Sequence, residues 1–151
     1  MSPSKPPEQI SPKSLRDYLE IMSKAVFQSG MSWKVVEAKW DTTREALHDF
    51  DVQKVAGMDE RDLELLVEDT RVIRNYRKLS AIIDNARKMM ELEKQYGTFK
   101  QYLRAHGDFD ATLKAIKRDF KFVGDFGVYY FLYVVGEQVP PHDEFQATYR
   151  K

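Results

Sequence analysis

The chain has no cysteine, so disulfides, thiolate nucleophiles and cysteine-ligated zinc are all excluded. It also has no net charge. Its 24 basic and 24 acidic side chains cancel, and any anion-binding face must therefore be local. Long apolar runs are missing too: the longest, Val128 to Val135, falls far short of the roughly 20 residues that a membrane helix needs. The opening MSPSKPPEQISPK lacks the apolar region of a secretory signal. It holds four of the six prolines, which predicts a flexible or extended leader over residues 1–13 ahead of one domain over 14–151. His48, His106 and His142 are scattered without ligand spacing, so neither a metal nor a cofactor is expected.

What remains is hydrophobic spacing of the helical kind in a chain that is 42% hydrophobic and can build a core. Ser11 before Pro12 reads as a helix start, with Leu15, Tyr18, Leu19, Met22 and Val26 on one face and Gly30 as the stop. Ser32 is placed to cap a helix bearing Trp33, Val36 and Trp40, with a break near Asp41 and a short third helix from Thr43 to His48. Asp51 and Asp59 open two further segments, and Thr70 to Asn75 reads as a connector. A long helix then runs from Tyr76 to Tyr96 and stops at Gly97. Thr98 opens Phe99 to Ala105, and Asp110 is placed to cap Ala111 to Arg118. The β-branched and aromatic run at Val128 to Val135 would suit a strand. A lone strand would leave its backbone groups unpaired, however, so a buried helix and an all-α fold are predicted.

One stretch combines chemistry with a turn. Lys114, Lys117, Arg118 and Lys121 lead into Phe120, Phe122 and Val123, and Gly124 permits a positive φ or a close backbone approach. Asp125 can cap the helix that follows. Unpaired N–H groups at that helix start, with its dipole, make either a phosphate seat or an ordinary helix connection.

A series of collinear matches resembles the DNA-3-methyladenine glycosylase I family, within the helix-hairpin-helix DNA glycosylases. Gln28 to Trp33, QSGMSW, is similar to the family's QxGLSW, and His48 to Met58 resembles its FHxFDPxKVAxM run. Glu64 to Asp69, Ile73 to Asn75, Arg77, Lys78 and Ile82 to Arg87 resemble the segment ending IIRNRxKIxAxIxNAR, and Phe120 to Gly124, FKFVG, matches the hairpin. The resemblance implies a compact helix-hairpin-helix domain and a monofunctional enzyme that acts as a monomer without strand cleavage, since Phe126 stands where bifunctional relatives carry a lysine. It also implies double-stranded DNA with an alkylated base of the 3-methyladenine type as substrate. Such a cytoplasmic or nucleoid-associated protein would need no membrane. In this light Trp33 is the stacking candidate for a flipped base, with Phe27 and Tyr18 beside it, and Lys121, Val123, Gly124, Asp125, Arg74 and Lys78 are expected to contact DNA. His48 reads either as a substrate contact or as a structural histidine.

The chain also departs from the family. Ala25 occupies the position of the pocket glutamate, eight residues before Trp33, and the zinc-binding N-terminal segment is not found. Glu20 lies about 140° around an ideal helix from position 25 and is no obvious stand-in. Asp143, 19 residues after Gly124, is the catalytic candidate by analogy with the wider superfamily, and an exposed C-terminal acid is the alternative. The competing expectation for the whole chain is a lesion-sensing or DNA-binding relative whose catalysis lapsed with that glutamate.

Overall fold

The computed structural model describes residues 6–149, among which every regular element is helical. The elements in order are α1 (Leu15–Gln28), α2 (Trp33–Ala46), a single turn at His48–Phe50, α3 (Val52–Ala56), α4 (Glu60–Glu68), α5 (Tyr76–Tyr96), α6 (Phe99–Leu103), α7 (Phe109–Asp119), α8 (Asp125–Val134) and α9 (His142–Tyr149). Helix α5 runs through the middle, packed by α1, α3, α4 and α6. Its buried Leu79, Ile82, Ile83, Ala86 and Met89 fall at helical spacing, each large side chain contributing roughly 1.5–3 kcal/mol by burial. Helix α1 lies between α5 and α8, and α8 also contacts α7.

Local chemistry accounts for most boundaries. Asp51 accepts from the Lys54 N–H, Asp59 and Asp62 form a reciprocal capping box, and Asn75 and Thr98 cap α5 and α6. The run at Val128 to Val135 is helical up to Val134, as expected of a buried segment.

Several local features differ from the sequence-based expectation. Helix α1 starts after Ser14 rather than Ser11, because Asp17 reaches back to the Lys13 N–H at 2.8 Å and winds the chain only there. Helix α2 does not break at Asp41, since Trp40 and Thr43 both point into the core and Thr42 donates to the Arg71 carbonyl at 2.8 Å. Helix α6 stops at Leu103, and α7 begins at Phe109 because Asp108, not Asp110, accepts from the Ala111 N–H at 2.8 Å. Finally, His48, Asp49 and Phe50 take left-handed φ values of 56°, 56° and 58°. Each costs roughly 1–2 kcal/mol. Two Arg16 bonds to Asp49 and the stacking of buried Phe50 on Trp40 at 5.4 Å offset that cost.

Candidate functional site: an aromatic cleft and a glycine hairpin

Trp33 is the first residue of α2 and stays half-buried where the α1–α2 loop meets α8. It opens into a cleft of about 810 Å³ whose lining includes Lys24, Gln28, Glu37 and Tyr130. The Tyr130 ring meets Trp33 edge to face at 5.8 Å, and the Lys24 ammonium lies over the Trp33 ring at 5.5 Å. Glu37 stands one helical turn beyond Trp33 and pairs with Lys24 at 3.5 Å. Burial pushes the Tyr130 phenol up to about 12, against the opposing effect of a hydrogen bond with Gln28. The outer wall is the extended segment from Pro6 to Ile10. It is held to the end of α8 by the Ile10 N–H donating to the Val134 carbonyl at 2.7 Å and the Gln9 side chain donating to the Tyr133 carbonyl at 2.9 Å.

Position 25, where the family resemblance leads one to expect a pocket glutamate, is closed off. Ala25 is buried, and a Cβ on Gly127 would sit 3.7 Å from the Ala25 Cβ and 3.3 Å from Val123 Cγ1. Helices α1 and α8 therefore approach too closely at this point for a long acidic side chain. Glu20 is committed elsewhere: it accepts from the Trp40 indole at 2.9 Å and pairs with Arg16 and Arg44.

The glycine hairpin lies between α7 and α8. The left-handed residue is Phe122, at φ 60°, while Gly124 is an extended N-cap at φ −90°. Of the two uses expected of Gly124, a positive φ or a close backbone approach, the positive φ is not taken. A Cβ there would meet nothing within 4 Å, so no protein neighbour requires the glycine. Gly124 offers no side-chain cap, and the first N–H groups of α8 have no intrahelical acceptor. Asn85, on α5, holds the turn: its side chain accepts from the Lys121 N–H at 2.8 Å and donates to the Lys121 carbonyl at 3.1 Å. Each basic residue around the hairpin has an acidic partner: Lys114 with Asp110, Lys117 with Asp125, Arg118 with Asp119, and Lys121 with Asp84.

The structure brings only some of the expected site residues together. Trp33 lines the cleft, and Lys121, Gly124 and Asp125 cluster at the hairpin, with the Val123 side chain buried beneath it. Phe27 is fully buried against Trp40, and Tyr18 packs on Phe99 at 5.0 Å, so both are core rather than cleft residues. Lys78 is not on a DNA-facing surface either. Its buried ammonium donates to the Phe27 and Ser29 carbonyls, capping the last turn of α1, and burial pushes its pKa down. Arg74 closes the end of α4 through the Val67 carbonyl and Glu68. Asp143 is exposed on the first turn of α9 and does not line the cleft, and exposed His48 does not line it either. Sequence reasoning missed Lys24, Glu37, Tyr130 and Asn85. Glu37 left a signal in its i+4 spacing from Trp33, and Asn85 in its place within the Ile82 to Arg87 match. Among the described residues no three His, Asp or Glu side chains converge as a metal-ligating group.

The fold is shared with DNA glycosylases. The crystal structure of 3-methyladenine DNA glycosylase I matches with a TM-score of 0.71 at 30% identity, over 84% of this chain and 81% of that one. The enzyme of the same name from Staphylococcus aureus matches in fold with a TM-score of 0.73 at 23% identity, over 85% and 80% of the two chains. In sequence, DNA-3-methyladenine glycosylase 1 of Escherichia coli (strain K12) is 35% identical over 130 residues, which is 72% of this chain and 70% of that protein. A family model described as methyladenine glycosylase matches residues 12–116. The chain belongs to the methyladenine glycosylase family.

Proposed function

We propose that the protein hydrolyses the N-glycosidic bond of an alkylated base in duplex DNA, a base-excision repair reaction that leaves an abasic site. One observation carries this reading. The uncapped N–H groups at the start of α8 and the cleft tyrosine on the same helix are five residues apart, Asp125 to Tyr130, or roughly 7.5 Å along the axis. That spacing suits a nucleotide whose phosphate is held at the helix N-terminus while its base lies against Trp33 and Tyr130.

The chemistry follows from the substrate and the cleft. A base alkylated at a ring nitrogen such as N3 of adenine is cationic, so its glycosidic bond is weak and its leaving group neutral. Flipping the nucleotide, stacking the base on aromatic rings and holding water near C1′ are then the main requirements. Glu37, which lines the cleft together with Glu8, is the carboxylate one helical turn from Trp33 that would orient that water and stabilise positive charge developing on the sugar, taking over what Ala25 cannot supply. Without a lysine after the hairpin, no Schiff base forms and the product is an intact strand with an abasic site.

We further propose that the protein acts as a monomer on DNA in the cytoplasm or at the nucleoid. No helix among the described residues is long and apolar enough to cross a membrane. Incubation with methylated duplex DNA tests the proposal: free methylated purine is expected above spontaneous loss. DNA binding without release would instead support a lesion-sensing role, which the closed space at Ala25 favours.

A further inference from the structure

We infer that Arg77, laid on the ring of Phe122, is the cation that grips a DNA phosphate beside the hairpin. The inference rests on the DNA-directed function proposed above and names a contact which that function needs.

The other positive charges near the hairpin are already occupied. The four basic residues around it each face an acid. The two basic neighbours of Arg77 in sequence are engaged as well, Arg74 with the Val67 carbonyl and Glu68, Lys78 with the Phe27 and Ser29 carbonyls. Arg77 is exposed, and among the described residues it has neither an acid nor a carbonyl as partner; its guanidinium lies over the Phe122 ring, 5.7 Å from the ring centre. Helix stability does not call for a cation there. Arg77 is the second residue of α5, where the helix dipole favours negative charge.

Phe122 is as costly a choice for a surface turn. Its ring is 42% exposed, and its φ of 60° is one that a bulky side chain adopts only against strain. Backbone strain kept at the surface marks a constraint other than packing. Here the conformation leaves an aromatic ring at the surface, and Arg77 lies over it. Helix α5 holds both parts of this platform, because it carries Arg77 and its Asn85 fixes Lys121, the residue before Phe122. A guanidinium held against a ring loses less freedom on binding than a free lysine, and its N–H donors match two phosphate oxygens at once. Phe122 precedes Gly124 by two residues, so at most about 7 Å of backbone separates the platform from the uncapped N–H groups of α8. A phosphate at α8 and the Arg77 guanidinium therefore act on the same stretch of strand.

The test is a titration of alkylated duplex DNA at several salt concentrations with the wild type, Arg77→Gln, Arg74→Gln, Phe122→Leu and the double variant Arg77→Gln/Phe122→Leu. Losing one phosphate contact should lower the slope of log K against log salt by about 0.9 in Arg77→Gln, with binding roughly tenfold weaker at about 0.1 M salt. Arg74→Gln removes a like charge that is already engaged, and is expected to keep the wild-type slope. Phe122→Leu removes the aromatic face and should weaken binding roughly threefold, while the double variant binds no more weakly than Arg77→Gln alone. An unchanged slope in Arg77→Gln, an equal fall in Arg74→Gln, or additive losses in the double variant would overturn the inference. Melting temperature separates a folding role: Arg77→Gln is expected to match the wild type, and a lower value with an unchanged slope would make Arg77 structural. Base release is followed on the same samples. A wild type that binds and releases base while Arg77→Gln keeps the full slope refutes Arg77 alone, whereas a wild type that does not bind duplex DNA refutes the proposed function with it.

Discussion

Asn85 grips Lys121 from both sides of the residue, accepting from its N–H at 2.8 Å and donating to its carbonyl at 3.1 Å, so that α5 fixes the shape of the hairpin. Asn85 is buried, and both bonds reach across 36 residues of sequence. Asn85→Ala would leave both Lys121 backbone groups unpaired at a cost of roughly 1–3 kcal/mol. A lower melting temperature is expected together with DNA affinity about tenfold weaker, the equivalent of about 1.4 kcal/mol. Unchanged DNA affinity in a folded variant would show that the hairpin does not carry binding.

Gly124 separates a structural from a functional use of glycine. Its φ of −90° suits any residue, and the space around its missing Cβ is open. Gly124→Ala is therefore expected to keep stability within about 0.5 kcal/mol while weakening DNA binding, because the added methyl stands where a phosphate would approach the α8 N–H groups. Chemical denaturation and a binding titration on the same protein would separate the two effects. A stability loss with full binding is the contrary outcome.

Restoring the family's acid should not restore a pocket. Ala25→Glu would drive a carboxylate into the Ala25–Gly127 contact, and overpacking with burial of an unpaired charge is expected to destabilise the protein by roughly 3 kcal/mol or more. A folded Ala25→Glu protein with faster base release would show that α8 yields at this point and that the acid function had not moved to Glu37.

Tyr130 links the cleft to alkaline stability. Its folded pKa is pushed up to about 12 from an ordinary 10, so in that interval the folded state holds a proton that the unfolded state has lost. Stability contributed by the neutral phenol is complete below pH 10 and falls as pH rises towards 12. Tyr130→Phe removes this contribution. Compared with the wild type across that range, the variant should lose stability less steeply with pH, as denaturation at several pH values would show.

Much of the fold was legible because local chemistry and core packing agreed. The span of α5 and the caps at Asp51, Asp59 and Thr98 follow from side chains within a few residues of one another. Boundaries were misplaced where two local signals competed, as with Asp108 and Asp110, or where distant packing carried α2 through Asp41. The site was less legible for the same reason. Trp33 sits in a recognisable motif, but its neighbours Lys24 and Tyr130 come from other helices, and nothing in their own spacing marks them. Lys78 shows the converse. A lysine at the start of a helix reads as a solvated or phosphate-facing charge, yet its ammonium finds two carbonyls about 50 residues away and caps α1 from within.

The proposed function requires that Trp33 stack an alkylated base while the rest of the molecule presents it. Trp33 packs on the surface side of the core, so Trp33→Ala should fold and bind duplex DNA through the hairpin. The most direct measurement is single-turnover release of free base from alkylated duplex DNA by the wild type and by Trp33→Ala. The account predicts release above the spontaneous rate by the wild type and a loss of roughly 10- to 100-fold in the variant, with stacking contributing about 1–3 kcal/mol per base. Equal release by both proteins would contradict it, as would none by the wild type.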